Sequence, residues 1–362
     1  MTEQELARLL DSIGGPDEEA MRLARERQDA LAKPPHSLGR LEDISVQLSG
    51  ITGKLHNTVQ KRRIIILCAD NGVVEEGVAS APQSVTRAQT INFTRFKTGV
   101  SAMAKYYGID LCVVDVGTAT DLPYEAGILN RKLAYGTQNI TKGPAMTREQ
   151  ALAAIKTGIE MAQKAADEGY NVIGVGEMGI GNTTTSSSVL SVLTGLSPAE
   201  TVGRGGCITD AMLENKRAVV QRAITQNAPD PADVVGVLQK VGGFDLAAMT
   251  GVFLGAAVCR LPVVIDGYIS AVAALCAYRL CGRVRTFLCP SHCSCEAGYT
   301  FAMKEMGLSP YLNLEMRLGE GSGCPLAFSV METACAVMTH MATFAEAEIN
   351  DEYLEEVRRE MR

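Results

Sequence analysis

The amino-acid sequence predicts an α/β protein with a doubly wound, mostly parallel, Rossmann-like sheet and a small helical domain built from both termini. Two observations support this fold class. Beyond residue 60, short apolar runs that end in Asp, Gly or Pro alternate with longer stretches of helical periodicity. Residues 1–60 show helical periodicity alone. We therefore expect residues 1–60 and 330–362 to form the small helical domain and residues 61–329 to form the α/β domain.

The terminal segments are predicted to be helical. The three N-terminal helices should cover residues 4–13, 17–31 and 41–52. A Gly-Gly-Pro sequence at 14–16 and a Pro-Pro pair at 34–35 separate them, because glycine frees the backbone and proline lacks an N–H donor. Near the C-terminus we expect an apolar helix over 325–343 and a highly charged, solvent-facing helix from residue 345 onward.

Five apolar runs are predicted to be the parallel strands, with helices at 147–168 and 244–259 among their connections. The runs cover residues 63–69, 111–116, 172–175, 263–265 and 284–288. The most apolar region, residues 246–280, is interrupted too often to span a membrane, so we expect buried helices around a strand there. In a doubly wound sheet, ligands bind beyond the carboxyl ends of the strands. The polar residues and glycines that follow the runs are therefore the expected wall of a functional site.

The composition indicates a soluble protein of the reducing cytosol. Apolar residues make up 46% of the 362 residues, and the formal net charge is −7. This acidity argues against a nucleic-acid partner, because a phosphate backbone attracts basic surfaces. The polar, acidic N-terminus is unlike a signal peptide. Eleven cysteines are scattered without the spacing of a secreted disulfide scaffold, so we expect a cytoplasmic protein that does not associate with membranes.

Residues 174–188, GVGEMGIGNTTTSSS, predict a strand, a glycine-rich turn and the start of a helix. Two interpretations remain open. Gly179 and Gly181 would let the backbone approach a ligand, and a helix N-terminus with hydroxyl groups such as that of Thr183 would bind a phosphate. Alternatively, the segment is a tight turn whose helix is capped by Asn182. The spacing matches neither the P-loop nor the dinucleotide-binding fingerprint.

Two glutamates in glycine-rich segments are candidate functional residues. Glu320 lies between glycines before an apolar helix, where partial desolvation would raise its pKa and make it a general base. The pattern alone favours the alternative, an acidic surface turn. Glu177 would bind a sugar hydroxyl, pair with Lys216 or Arg217, or stabilise the dipole of the following helix from its first turn.

Cys289, His292, Cys293 and Cys295 lie close together in the sequence. They lack the paired two-residue spacing of structural zinc sites and have no second half elsewhere. We therefore interpret them as ordinary buried thiols beside a histidine with satisfied hydrogen bonds. The Gly-x-Ser-x-Gly element of a serine hydrolase is absent.

Seven short motifs occur in order along the chain. They are KPPHSLGRLE (33–42), ADNGV (69–73), EEGV (75–78), GEMGIGNTT (176–184), VGRG (202–205), GGFD (242–245) and LGEGSG (318–323). Together they closely resemble the nicotinate-nucleotide:dimethylbenzimidazole phosphoribosyltransferase family, whose members assemble the lower ligand of cobalamin. The likeness runs from about residue 20 to about residue 345.

The resemblance implies a reaction in which nicotinate mononucleotide and a benzimidazole give α-ribazole 5′-phosphate and nicotinate, with inversion at C1′. It implies that Glu320 is the proton acceptor and that Ser80 and Gln89 belong to the base pocket. The implied phosphate and ribose contacts are Glu177, Gly179, Gly181, Asn182, Thr183 and Lys216. The donor carries a single phosphate, so we expect no metal and no other cofactor. The resemblance also implies a homodimer.

Three alternatives remain open at this point. Relatives with the same motifs use phenols or purines, so the acceptor base is undecided. A hydrolase would pass the ribosyl group to water instead of to a base. A non-catalytic nucleotide-binding sensor would keep the glycine-rich turn but would need no carboxylate at residue 320.

Overall fold

The sheet is doubly wound, as predicted. The computed structural model describes residues 1–354, and six strands within them form one sheet: β1 (Arg62–Ala69), β2 (Asp110–Gly117), β3 (Ile128–Asn130), β4 (Val172–Met178), β5 (Val263–Ile265) and β6 (Leu288–Pro290). All pairings are parallel, and the strand order is β3-β2-β1-β4-β5-β6. The order therefore reverses between β1 and β4, where such sheets form a ligand-binding crevice.

Helices cover both faces of this sheet. In the described part of the chain they are α1 (Glu3–Ser12), α2 (Glu18–Ala30), α3 (Arg40–Thr52), α4 (Ser84–Thr94), α5 (Gly99–Tyr107), α6 (Arg148–Asp167), α7 (Asn182–Thr194), α8 (Pro198–Thr201), α9 (Asp210–Asn227), α10 (Val234–Val241), α11 (Phe244–Val258), α12 (Tyr268–Leu280), α13 (Tyr299–Met306) and α14 (Cys324–His340). Short 3₁₀ helices occupy Gly72–Glu76, Tyr124–Ala126, Gly282–Phe287 and Glu352–Leu354. The helices expected in the N-terminal arm, over 147–168, over 244–259 and over 325–343 are confirmed.

Successive side chains of β1 point to opposite faces of the sheet, and each face has its own core. Ile65 and Leu67 pack with α6, α11 and α12 in the larger core. Ile64 and Ile66 pack with α3, α5 and α14 in the smaller one. The apolar region is thus α11, β5 and α12, as expected, and none of the helices in residues 1–354 is both long and apolar enough to cross a bilayer.

The two terminal segments contact each other. The backbone N–H of Phe344 donates to the carbonyl of Ala30 at 3.0 Å, and α3 packs against both α2 and α14. The first helix, α1, instead contacts α11 and is held to α6 by an ion pair of 2.5 Å between Glu3 and Arg148. The division into two domains stays a prediction.

Two strand predictions need correction. The strand expected at 284–288 begins only at Leu288, because the preceding residues form a 3₁₀ helix that buries Val284 and Phe287, three positions apart. The edge strand β3 was not predicted, since only two of its three residues, Ile128 and Leu129, are apolar.

The charged helix expected from residue 345 is wrong in its described part. Residues 344–348 form a turn that ends at Glu348, whose φ of +56° is incompatible with a right-handed helix. Phe344 is buried, but residues 345–348 are exposed and offer no apolar face that would hold a helix against the protein. Residues 355–362, which carry the rest of this prediction, lie outside the described residues.

Candidate active site

A cavity of about 660 Å³ opens beyond the carboxyl ends of β4 and β5, beside the reversal in strand order. Doubly wound sheets bind ligands at this position. Every site residue predicted from the sequence lines the cavity: Ser80, Gln89, Glu177, Gly179, Gly181, Asn182, Thr183, Lys216 and Glu320. The fold therefore brings four separate segments of the chain to one site.

A larger cavity, of about 910 Å³, lies between α2, α3 and the 3₁₀ helix before β6. It is lined by none of the predicted site residues and lies near the amino end of β6. The smaller cavity is the better candidate, because Glu177, Asp266 and Glu320 line it and burial raises the pKa of each.

The glycine-rich turn passes from β4 into α7 through a left-handed residue. Gly181 is the N-cap of α7, with φ +93° and ψ −9°, a conformation that glycine adopts without strain. The N–H groups of Ile180 and Asn182 already donate to protein oxygens, at 3.1 and 3.0 Å. Only part of the turn therefore remains for a phosphate, chiefly the first-turn N–H of Thr183, for which the helix supplies no acceptor.

Asn182 is not the helix cap, so the capping interpretation is wrong. Its side-chain Nδ2 donates to the carboxyl groups of Glu177 and Asp245, the latter at 3.1 Å. Asn182 is 5% exposed and links two buried acids at the bottom of the site.

Three of the five hydroxyl groups that follow Thr183 bond to their own helix, whereas those of Thr184 and Ser186 are buried without a partner among residues 1–354. Thr185 donates to the carbonyl of Asn182 at 3.0 Å, and Ser187 and Ser188 donate to carbonyls four residues earlier at 2.8 and 3.0 Å. These hydroxyls satisfy their own hydrogen-bonding needs on the helix that carries them.

Lys216 extends from α9 to the wall that carries Thr183. Its ammonium donates to Thr183 Oγ1 at 2.8 Å and to the carbonyl of Gly203 at 3.3 Å. The side chain is 1% exposed, and within residues 1–354 no carboxylate lies within ion-pair distance of it. Burial lowers its pKa to about 8, against the opposing effect of Glu296. The expected pairing of Glu177 with Lys216 or Arg217 is wrong, since Arg217 pairs with Glu214.

Glu177 lies on β4 and not in the turn, so its assignment to the first turn of a helix is also wrong. One carboxyl oxygen accepts from Asn182, and the other accepts from the backbone N–H of Glu320 at 3.2 Å. Burial raises the pKa of Glu177 to about 8, and the negative charge of Asp245 adds to this effect. A carboxyl group with such a pKa is largely protonated at neutral pH.

Glu320 is buried, at 6% exposure, so the surface-turn alternative is wrong. Its φ is +63°, between Gly319 at +79° and Gly321 at +85°. One carboxyl oxygen accepts from Gln89 Nε2 at 3.1 Å, and the other has no hydrogen-bond partner among residues 1–354. Burial raises the pKa of Glu320, while the bond from Gln89 and the backbone of Gly99 oppose the rise.

Ser80 and Gln89 occupy different depths of the cavity. Ser80 is exposed at the rim, and its hydroxyl donates to the carbonyl of Gly206 at 2.8 Å. Gln89 extends from α4, and Asn92 on the next turn donates to its Oε1 at 3.2 Å. This bond leaves the NH₂ group of Gln89 directed at Glu320.

Sequence reasoning assigned no role to two further buried acids, Asp245 and Asp266. Asp245 accepts from Asn182, and burial raises its pKa to about 6. Asp266 follows β5 and accepts backbone hydrogen bonds from the loop that carries Glu320. The sequence offered one signal for Asp266, an Asp directly after a short apolar run. That signal predicted that Asp266 lines the site but did not indicate what it does there.

The interpretation of the cysteine and histidine cluster as buried thiols beside a satisfied histidine is only partly correct. Cys289 is buried, but Cys295 is exposed. His292 Nδ1 lies 3.0 Å from Ser291 Oγ, whereas Nε2 has no partner in the described chain, so the histidine is only half satisfied. Burial lowers the pKa of His292 to about 4, which keeps it neutral. Among residues 1–354, no group of three or more His, Cys, Asp or Glu is arranged to hold a metal ion.

Comparison with known proteins identifies the family. Residues 13–349 match the family model DBI_PRT, described as phosphoribosyltransferase. The chain is 52% identical over 355 residues to nicotinate-nucleotide–dimethylbenzimidazole phosphoribosyltransferase of Clostridium perfringens, covering 98% of each chain. It is 49% identical over 354 residues to the Clostridium tetani enzyme of the same name, again covering 98% of each.

A solved structure agrees with the sequence relatives. The crystal structure of CobT from Thermus thermophilus matches with a TM-score of 0.89 at 37% identity, covering 92% of this chain and 99% of that one. The agreement extends over nearly the whole fold. The chain is therefore an enzyme of the nicotinate-nucleotide–dimethylbenzimidazole phosphoribosyltransferase family.

Proposed function

We propose that the enzyme transfers the 5-phosphoribosyl group from nicotinate mononucleotide to 5,6-dimethylbenzimidazole or a related base, and releases nicotinate. The relatives carry this substrate pair in their names. The observation that carries the proposal is the buried Glu320 carboxyl, which shares one cavity with the buried ammonium of Lys216. Transfer from a phosphorylated donor to an N–H acceptor needs both a proton acceptor and a site for the phosphate.

Glu320 acts as the general base toward the acceptor. A ring nitrogen of the base attacks C1′, and the base must then lose its N–H proton. The carboxyl oxygen of Glu320 without a protein partner is free to accept that proton. Its raised pKa makes it a stronger proton acceptor than an exposed glutamate. A positioned base contributes about 10²- to 10⁴-fold in rate.

The donor's phosphate binds at the start of α7. Lys216 supplies a positive charge that has no carboxylate partner within residues 1–354, and Thr183 supplies a first-turn N–H. Gly179 and Gly181 let the turn pack closely against the end of β1 and the loop after it, since a side chain at either position would collide with Ala69 or Val74. The ribose hydroxyls are the expected ligands of Glu177 and Asn182, whose side chains lie beside this turn.

The transfer is an inverting displacement. The new bond joins the acceptor nitrogen to C1′. The bond from C1′ to the pyridine nitrogen breaks, and its electron pair leaves with nicotinate. Attack and departure occur on opposite faces of the ribose. Binding the phosphate at α7 and the acceptor at Glu320 holds the two reactants in one orientation, which replaces an unfavourable encounter in solution.

One assay tests the proposal. The protein is incubated with nicotinate mononucleotide, with and without a panel of benzimidazoles, purines and phenols, and the products are followed by mass and by the configuration at C1′. An α-configured dimethylbenzimidazole nucleotide supports the proposal. Nicotinate release without any acceptor would indicate a hydrolase, and binding without release a sensor. Preference for a phenol or a purine would change the acceptor but not the chemistry.

We further infer that the enzyme works as a homodimer in the cytoplasm. All eleven cysteines are free thiols, which supports a reducing compartment. The apolar helices α11 and α12 are buried within the chain, so a dimer must use another surface. Sedimentation equilibrium tests the dimer, since the 38.6 kDa chain should then give twice its own mass.

A further inference from the structure

We propose that Asp266 is a positioning residue, which holds the Glu320 loop by accepting two of its backbone hydrogen bonds. The inference rests on the proposed function of Glu320. Asp266 Oδ2 accepts from the N–H of Gly321 at 2.8 Å, and Oδ1 accepts from the N–H of Gly323 at 2.6 Å. The two oxygens of one carboxyl group thus hold the residue after Glu320 and the N-cap of α14.

The loop needs such anchors because its backbone is strained. Three successive residues, Gly319, Glu320 and Gly321, have positive φ. Glycine adopts this conformation freely, but for a glutamate it is strained. A loop that is free to relax would return residue 320 to a right-handed or extended conformation and move its carboxyl group.

A second anchor acts from the other side of the same residue. The N–H of Glu320 donates to Glu177 Oε1 at 3.2 Å. Glu320 is thus held between a carboxyl group on β4 and one that follows β5, two neighbouring strands. Because both strands are buried and held by strand pairing, these two hydrogen-bonded contacts fix the position of the loop relative to the sheet.

The surroundings of Asp266 indicate that these backbone bonds are its main compensation. Asp266 is 2% exposed, and the basic side chain within ion-pair distance of it among residues 1–354 is His292, with Nδ1 at 4.0 Å, which its low pKa keeps neutral. The neighbouring ionisable side chains Glu320 and Glu177 are acids like itself and supply no positive charge. A buried carboxyl group without a cation nearby makes the protein less stable. Groups that carry such a cost are typical of functional sites.

Asp266 also lines the cavity, so the alternative is a direct contact with the substrate. The two roles predict different kinetics. A positioning residue acts through Glu320, so its loss lowers kcat and leaves donor binding intact. If Asp266 instead contacts the substrate, its loss raises the donor KM, in the wild type and in the Glu320→Gln background alike.

The test compares Asp266→Asn with a matched variant, Asp115→Asn. Asp115, near the end of β2, is likewise buried and accepts two backbone hydrogen bonds, from Gly117 and Thr118 at 3.0 and 2.9 Å, but these are local and it does not line the cavity. We expect Asp266→Asn to lower kcat at least tenfold, to leave the donor KM within twofold, and to have no further effect in the Glu320→Gln background. Asp115→Asn should keep the wild-type kcat.

Three kinetic results would overturn the inference: an equal loss of kcat in both backgrounds, a raised donor KM, or a kcat for Asp266→Asn equal to that of Asp115→Asn. If the wild type transfers no ribosyl group to any acceptor, the proposed function itself fails.

Backbone hydrogen exchange of residues 317–325 then still tests the anchor. The N–H groups of Gly321 and Gly323 should exchange slowly in the wild type and in Asp115→Asn, and at least tenfold faster in Asp266→Asn. Where that variant does not fold, Asp266→Ser replaces it. Rapid exchange of both groups in the wild type contradicts the anchor whatever the variants do.

Discussion

The backbone N–H of Glu320 donates to Glu177 Oε1 at 3.2 Å, so one buried acid holds the main chain of another. The second oxygen of Glu177 accepts from Asn182, in the first turn of α7. Glu177 therefore connects the proposed phosphate site to the proposed general base. A change at either side of the cavity can reach the other through this carboxyl group.

Replacement of Glu320 by Gln should abolish most of the activity without unfolding the protein. The amide fills the same volume but accepts no proton, so kcat should fall by about 10²- to 10⁴-fold. Steady-state rates and a thermal melt check both parts. Glu348→Gln is a matched control, since Glu348 is also a glutamate at positive φ, but it is exposed. Turnover like that of the wild type in Glu320→Gln would remove the base assignment.

Replacement of Lys216 by Met should weaken donor binding and stabilise the unliganded protein. A charge-assisted bond to phosphate is worth about 1.5–3 kcal/mol, so the donor KM should rise about 10- to 100-fold. The folded-state pKa of about 8 lies below the usual 10.5, so the buried ammonium destabilises the protein at neutral pH, and Met removes that cost.

Titration of the donor and thermal melts measure the two effects of Lys216→Met. Lys240→Met is the control, because Lys240 also donates to a carbonyl but lies outside the cavity. An unchanged donor KM would argue against a phosphate at Lys216.

The location of the site could be predicted from the sequence, but part of its internal geometry could not. Glycine spacing marked the turn after β4, and residues predicted there do line the cavity. Glu177 was misplaced because Gly-Glu-Met-Gly looks like a loop, whereas Gly176 and Glu177 continue the pairing of β4 with β1. Pairing between strands overrides the low strand propensity of glycine.

The roles of Asp245 and Asp266 depend on contacts between distant segments. Asp115 lies within the apolar run 111–116 and Asp266 directly after the run 263–265, and neither local pattern reveals a contact with a distant loop. Only the strand order puts Asp266 opposite the Glu320 loop. The sequence also could not show which hydroxyl groups after Thr183 bond to the backbone of their own helix, as that of Ser187 does.

The stability of the unliganded protein should depend on Glu177 at neutral pH. Its folded-state pKa is about 8, above the usual 4.5, so the folded state holds the proton more tightly than the unfolded state. Its contribution is therefore complete below about pH 4.5 and is lost as the pH rises toward 8. Within that window, Glu177 lowers the free energy of unfolding by about 1.4 kcal/mol per pH unit.

Urea unfolding of Glu177→Gln and of the wild type, at several pH values within this window, measures the effect. Gln mimics the protonated acid, so the difference in unfolding free energy should shift in favour of the variant as the pH rises. Glu305→Gln, at an exposed ion pair with Arg279, should show no such trend. A difference independent of pH for Glu177→Gln would mean that Glu177 keeps an ordinary pKa.

Replacement of Gln89 by Leu should move the acid limb of the pH–rate profile to higher pH. Gln89 Nε2 donates to Glu320 at 3.1 Å and opposes the effect of burial on the pKa of Glu320. Without this bond the pKa rises further, and Glu320 is protonated, and inactive as a base, over a wider range of pH. A hydrogen bond to a charged group is worth about 1.5–3 kcal/mol, which corresponds to about one to two pH units.

Measurement of kcat/KM against pH separates this effect from a direct contact of Gln89 with the substrate base. If Gln89 acts through Glu320, Gln89→Leu and the wild type converge at high pH, where Glu320 is ionised in both. Gln83→Leu, just before α4 and outside the cavity, should follow the wild-type profile. A loss that is uniform across the pH range, with the acid limb unmoved, would assign Gln89 to the acceptor pocket instead, since substrate contacts do not depend on the protonation of Glu320.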